Sequence, residues 1–458
     1  MPPEIATIET PELGDRSYAV IAGDRAMVVD PQRDIDRVLG VLSEHGSTLS
    51  HVFETHIHND YVSGGPELCR VTGATLVIPA GESVGYARQA IGDGDRVSIG
   101  SLAVRAVHTP GHSASHMSYV LEEGGKPVAA FTGGSMLLGS VGRTDLVGPW
   151  ATDHLSHLQF RSARRLSEEL SDDTAILPTH GFGSLCSAGF PMGGPETADV
   201  HDQRSMNPAL LMDEDPFVAR LISGFDAYPR YYGYMAARNR EGAAPAAASL
   251  PPLSDAKELA ERARSGEWVV DIRQRGDFAA RHIARTLGFE LSEPLSTHMG
   301  WLFPWGSPLS LIGPSAAALA EARVALARIG LDTIAACGIS EPSNGGGDPW
   351  AGVETGSYAL VGFAELKPFI GAPGEVVVDV RLGGEYRDGH LAVARHIPLH
   401  ELADRMDEIP HGRVWVHCAA GYRAAVSGSM LARAGRDVMV VSDQIGNAIA
   451  CGLELVTA

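Results

Sequence analysis

Short apolar runs separated by turn residues dominate the N-terminal half of the chain. Tyr18-Ala-Val-Ile21 and Ala26-Met-Val-Val29 flank Gly23-Asp24, which predicts two paired strands, and an amphipathic period near residues 35–45 predicts a helix. Such a chain opens as a sheet with helices laid against it. Residues 153–171 repeat the helical period with Leu155, Leu158, Leu166 and Leu170 on one face; Phe160 falls off that stripe and needs a neighbouring element to cover it. Met206–Arg240, rich in Tyr, Arg and Met, predicts a cap on this first domain. The periodicity then stops in a low-complexity stretch from Gly242 to Pro252, which reads as a linker. A second seam, Glu341-Pro-Ser-Asn-Gly-Gly-Gly-Asp348, is mobile by composition.

On either side of that second seam one pattern occurs twice. Val269-Val270-Asp271 is followed by Arg273, Asp277-Phe278 and His282, and Val377-Val378-Asp379 by Arg381, Glu385-Tyr386 and His390. Asp to Arg is two residues, Asp to acid six and Asp to His eleven in both, the signature of an internal duplication. The expected domains are 1–241, 253–340 and 355–458.

Only the second copy ends in a reactive loop. Val414-Trp-Val416 leads into His417-Cys418-Ala-Ala-Gly421-Tyr-Arg423 and an Ala-rich, helical-looking stretch. A strand, a tight loop and a helix start would set Cys418 under backbone N–H groups and the positive end of a helix dipole, which favours a thiolate or persulfide anion. Four residues separate Cys418 from Arg423, one fewer than in the phosphate-cradling loops of phosphatases, and the shorter loop suits a sulfur atom. The bland alternative is a buried structural cysteine. Cys-x-x-Gly-x-Arg after the Asp-x-Arg, Glu-Tyr and Gly-His block resembles a rhodanese (sulfurtransferase) domain, which implies catalytic roles for Cys418 and Arg423. The first copy has Gly313-Pro314-Ser315-Ala-Ala-Ala318 at the equivalent loop, with neither Cys nor Arg, so it should fold like its twin without carrying sulfur. A structural or docking role is expected for it.

A second chemistry lies upstream. His56 and His58 leave a strand two residues apart with Asp60 close behind, Thr109-Pro110-Gly111-His112 brings another imidazole to a strand exit, and Pro178-Thr179-His180 a fourth. Singly, each would more often be an ordinary core or surface histidine; together they favour a transition metal. Over roughly residues 15–240 these motifs resemble the metallo-β-lactamase fold, and Phe131-Thr-Gly-Gly134-Ser135 with Gly142-Arg-Thr-Asp145 is similar to the glyoxalase II branch, particularly persulfide dioxygenases. The whole resemblance implies an α/β multidomain protein: an αββα metallo-β-lactamase sandwich followed by two rhodanese-like domains with parallel sheets. It also implies metal ligands among His56, His58, Asp60, His112 and His180.

Two positions depart from that family pattern. Tyr61 stands where it has a histidine, and Gly134 where it has the carboxylate of a two-His-one-carboxylate iron site. Three arrangements stay open: non-haem Fe(II) on the remaining ligands, a three-His zinc site at His56, His58 and His112 suited to hydrolysis, and a metal-free scaffold. The corresponding functions are a persulfide dioxygenase coupled to sulfur relay through a Cys418 persulfide, a glyoxalase II-like thioester hydrolase, and a non-catalytic sulfur carrier. Cys186, six residues after His180, could approach the metal pocket, although a small buried residue in a Gly/Ser loop is the plainer reading. Arg143 and Asp145 are expected to pair and brace the pocket floor.

Composition narrows the partners. The 458 residues are 44% apolar, ample for several cores, and the net charge of 36 − 56 = −20 argues against nucleic acid and anionic membranes. The expected partners are therefore small molecules: a thiol persulfide, thiosulfate or sulfite. A homo-oligomer is left open. Five scattered cysteines (Cys69, Cys186, Cys337, Cys418, Cys451), with no basic and apolar leader and no run long enough to span a bilayer, fit a cytoplasmic protein.

Overall fold

The computed structural model describes residues 3–187, 196–246, 249–340 and 348–457. Of the second seam, residues 341–347 lie outside them, as do 247 and 248 of the linker. Two compact units divide the chain: Met1–Ala246 with Ala327–Gly330, and the remainder.

The first unit is built on two six-stranded sheets. Strands Asp15–Ala22 and Arg25–Val29 pair antiparallel around the expected turn, and Thr48–Phe53 and Thr75–Pro79 continue the sheet in parallel. Strand alternation sorts the side chains. Tyr18, Val20, Met27, Val29 and Phe53 face Val104, Ala106, Tyr119 and Phe131 of the second sheet in one shared core, while Ala19, Ile21, Val28 and Val52 pack outward against Val38, Leu42 and Leu68 of the helices Asp36–Glu44 and Gly65–Thr72. On the outer face of the second sheet lies the helix Pro149–Glu169. Leu155, Leu166 and Leu170 are buried as expected, whereas Leu158 is only half-buried. Phe160 meets Phe217 of the helix Glu214–Ser223, ring centroids 5.4 Å apart, in the same core as Leu166 and Leu170. Residues 200–241 form short capping helices in this unit. The layers are thus αββα, and Asp30, His56, His58, Gly134 and His180 all leave the ends of strands.

In the second unit both copies build all-parallel sheets with corresponding strand order. The first runs Leu287–Gly288, Trp268–Asp271, Leu309–Gly313, Ile334–Ile339; the second runs Arg395–His396, Glu375–Asp379, Arg413–His417, Val438–Val441, Ala359–Val361. Burial on both faces explains the continuous apolar runs that mark these strands in the sequence. The duplication extends to hydrogen bonds. Arg273 clamps Asp271 and donates to the Arg281 carbonyl at 2.8 Å; Arg381 clamps Asp379 and donates to the Gly389 carbonyl at 2.8 Å. His282 and His390 each bond through Nδ1 to the carbonyl four residues back. The two copies form one compact unit rather than separate bodies, because the helix Tyr422–Arg433 packs on strand Leu287–Gly288 and the Tyr422 hydroxyl donates to the Glu290 carbonyl at 3.2 Å. No helix among the described residues is long and apolar enough to cross a membrane.

Candidate metal centre and candidate sulfur site

The strand ends of the first unit bring His56, His58, His112 and His180 together with Asp60, all at most 1% exposed. Ring centroids of His56 lie 4.1 Å from His58, 4.7 Å from His112 and 5.4 Å from His180. Each imidazole has one nitrogen anchored. His56 Nδ1–H donates to Thr55 Oγ1 at 2.9 Å, and that hydroxyl donates to Asp30 Oδ2 at 2.7 Å. His112 Nδ1 donates to the Arg143 carbonyl at 2.8 Å, and His180 Nδ1 to Asp15 Oδ1 at 2.8 Å. His58 is anchored through Nε2, 3.2 Å from Asp30 Oδ1 and 3.4 Å from Glu54 Oε2, which leaves its Nδ1 without a hydrogen-bond partner. Anchoring of the far nitrogen is how proteins orient metal-binding histidines. The rings converge: one nitrogen each of His56, His58 and His180 lie within 4.8 Å of one another, and Nε2 of His56 and His180 are 3.4 Å apart. Of the two buried carboxylate oxygens of Asp60, Oδ2 lies 3.2 Å from His180 Nδ1 and Oδ1 has no hydrogen-bond partner. An unpartnered carboxylate oxygen beside converging imidazole nitrogens fits a divalent cation.

Without a metal, protons take the place of the cation at two of these imidazoles. Burial alone would discharge His58, but Asp30 and Glu54 hold its pKa up at about 9, so without a metal it is an imidazolium, and a metal at Nδ1 would displace that proton while Nε2–H stays toward the carboxylates. Burial lowers His112 to about 3, helped by His180, leaving its Nε2 a lone-pair donor. Burial also disfavours charge on His180, yet Asp60 and Asp15 raise it well above the ordinary value.

The two departures from the family pattern have physical counterparts. Tyr61 stands behind His58 rather than in the donor cluster, stacking on its ring at 4.3 Å with its hydroxyl 3.0 Å from Nε2. At Gly134 a Cβ would lie 2.3–2.8 Å from the His112 ring, so the imidazole occupies the space that a side chain there would need. Arg143 and Asp145 form the expected bidentate pair at 2.7 and 2.8 Å, and through its carbonyl Arg143 aims His112.

Several groups escaped the sequence reading. His116 is as buried as the others, but its Nε2 accepts from the Gly134 N–H at 3.0 Å and its Nδ1 faces Thr109 Oγ1 at 3.0 Å, so both nitrogens are committed. Asp30 sits at φ 51°, uncommon for a non-glycine residue, and takes bonds from Thr55 N–H, Thr55 Oγ1 and Thr179 Oγ1 beside His58. Its signal was available: Val28-Val29-Asp30 has the same strand-end acid as Val270-Asp271 and Val378-Asp379. Asp15 and Glu54 carried no comparable mark.

In the second unit the strand Arg413–His417 ends at Cys418, which is 2% exposed. Gly421, at φ 96°, turns the chain so that its N–H donates to Cys418 Sγ at 3.1 Å at the start of the helix Tyr422–Arg433. Arg423 does not stand free beside the sulfur: Glu385 accepts from both terminal nitrogens, at 2.5 and 2.7 Å. The cysteine-less copy reaches this loop. Arg275 Nη1 donates to the Ala420 carbonyl at 3.3 Å while its Nε binds Glu290 at 2.7 Å, and the His298 ring lies 5.0 Å from that of Tyr422.

An αββα sandwich with a strand-end histidine cluster defines a class of metal-dependent proteins, and comparisons place the chain within it. Residues 12–180 match the metallo-beta-lactamase superfamily, and residues 363–445 match the rhodanese-like domain. The lactamase-like protein notP of Aspergillus sp. (strain MF297-2) is 33% identical over 275 residues, 57% of this chain and 78% of that protein. A hydroxyacylglutathione hydrolase of Methylobacterium sp. (strain 4-46) is 35% identical over 147 residues, 32% of this chain and 53% of that one, so the match spans about half of the hydrolase. Among solved structures, a metallo-beta-lactamase from Staphylococcus aureus subsp. aureus COL aligns with a TM-score of 0.65 and 25% identity over 74% of this chain and 99% of that one. The chain belongs to the metallo-beta-lactamase superfamily and carries a rhodanese-like domain.

Proposed function

We propose that this protein is a two-centre enzyme of sulfur metabolism. At one centre the Cys418 thiolate attacks the sulfane sulfur of thiosulfate or of a low-molecular-weight persulfide. The donor's S–S bond breaks, the donor leaves with the electron pair as sulfite or thiolate, and Cys418 holds the sulfur as a persulfide. A thiolate or sulfite acceptor then attacks the outer sulfur and frees Cys418. The observation that carries this reading is the Gly421 N–H aimed at Sγ at 3.1 Å on a helix N-terminus, which stabilises anionic sulfur. Arg423, paired with Glu385, acts by bracing the loop.

The first unit acts on a thiol-linked substrate. Residues of the cluster His56, His58, His112 and His180 would hold the metal, which would supply Lewis-acid activation of water for thioester hydrolysis if it is zinc, or redox chemistry with O2 for persulfide oxidation if it is iron. Around it, Asp30 and Asp15 keep the imidazoles oriented and His58 protonated on Nε2. Hydrolysis is favoured by Gly134, which offers no carboxylate for an iron triad, and by the likeness to a hydroxyacylglutathione hydrolase. Oxidation of a small persulfide is the second reading, favoured by the sulfur-carrying domain on the same chain. Metal analysis of protein purified without added metal, paired with hydroxyacylglutathione hydrolysis and O2 uptake on glutathione persulfide, separates them. Zinc with hydrolysis is expected; iron with uptake would replace that reading by the second, and neither metal nor turnover would leave a sulfur carrier built on Cys418.

A further inference from the structure

Cys186 lies among the metal donors. Its Sγ and the nitrogens of His112 and His180 are all within 4.8 Å of one another, and the three residues are fully buried or nearly so. The position is rigidly set. The Arg143 N–H donates to the Cys186 carbonyl at 2.9 Å while the Arg143 carbonyl accepts from His112 Nδ1 at 2.8 Å, so one peptide residue fixes the thiol and the imidazole relative to each other. The Arg143 guanidinium also donates to the Leu185 carbonyl at 3.1 Å. The described cysteines are all free thiols, and the Cys186 thiol makes a weak contact to the Tyr232 hydroxyl at 3.7 Å. Burial makes it a poor relay of sulfur to a soluble acceptor.

Two independent features point to a cation at this thiol. Asp60, 1% exposed, has Oδ1 without a hydrogen-bond partner while Oδ2 pairs with His180 Nδ1 at 3.2 Å, and it lies close enough to interact with Cys186. Gly134 withholds the carboxylate that the family pattern supplies, and the His112 ring fills the space, so that strand end contributes no anionic donor.

We propose that Cys186, as the thiolate, is a metal ligand of the first unit and completes with His112 Nε2 and His180 Nε2 a two-nitrogen, one-sulfur set for a zinc-class divalent cation. Binding displaces the thiol proton to solvent, with no change of oxidation state. The inference rests on the metal reading of the histidine cluster and is independent of the chemistry at Cys418.

The test is Co(II) substitution in the full chain. A thiolate-to-Co(II) charge-transfer band is expected in the near ultraviolet, lost in Cys186→Ser and retained in Cys418→Ser. Alkylation of the wild-type protein, mapped by peptide mass, gives a reading that does not depend on a variant's folding: Cys186 should be protected with metal bound and become reactive after chelation. Cobalt bound without the band, a band unchanged in Cys186→Ser, or Cys186 alkylated equally in both states would overturn the proposal while leaving the histidine site intact. Failure to bind cobalt at all would overturn it together with the metal reading.

Discussion

At the scale of the residue, small side chains decide more than charged ones. Gly134 looks in the sequence like a simple deletion of a metal ligand, and Gly134→Asp like its repair. The structure makes that repair unfavourable, because a Cβ would meet the His112 ring at 2.3 Å while His112 is tied to the Arg143 carbonyl. Gly134→Asp is therefore expected to lower metal content, and metal stoichiometry after purification checks this; a gain of iron would show that the ring swings aside. Arg423 is also recast. Because Glu385 holds it bidentately, Glu385→Gln should impair sulfur transfer nearly as much as Arg423→Ala, through loss of loop geometry. Steady-state transfer rates compare the two, and an unaffected Glu385→Gln would return Arg423 to a direct role in binding the anionic donor.

At the scale of the element, legibility followed the strength of the local pattern. The paired strands around Gly23-Asp24, the helix at 35–45 and the loop after Val414–Val416 were readable because apolar period and turn residues agree there. The duplication was visible as spacing, yet its meaning was not: Asp-x-Arg is a buried clamp that fixes a carbonyl eight residues on in both copies, including the one without a cysteine. The groups that anchor the histidines were hidden because Asp15, Glu54 and Thr55 reach them across the sheet or through side-chain rotamers that no short motif encodes. The clamp should be worth much to stability. Asp271 is fully buried, so Arg273→Ala strands an unpaired charge and is expected to cost about 3 kcal/mol or more in denaturant unfolding. A change within about 0.5 kcal/mol, as for an ordinary surface site, would make the clamp incidental.

At the scale of the whole molecule, the first unit concentrates buried charge where a cation would compensate it, and that has a consequence for pH. In metal-stripped protein the folded-state pKa of His58, about 9, exceeds the ordinary value of 6.5 because of Asp30 and Glu54, against the opposing effect of burial. A raised pKa gives stability that is complete below 6.5 and is lost as pH rises through about 9, a contribution on the order of 3 kcal/mol for this buried group. The melting temperature of the metal-free protein should fall between pH 6.5 and 9, and His58→Gln should flatten that part of the profile. In the second unit the cysteine-less copy supplies Arg275 and Glu290 to the loop that carries Cys418. The central claim is sulfur transfer at that cysteine, and the mass of the protein after brief incubation with thiosulfate and removal of excess reagent tests it most directly. One added sulfur atom, located on the Cys418 peptide, released by sulfite and absent from Cys418→Ser, is the expected result; sulfur that fails to add, or that adds equally to Cys418→Ser, would contradict it.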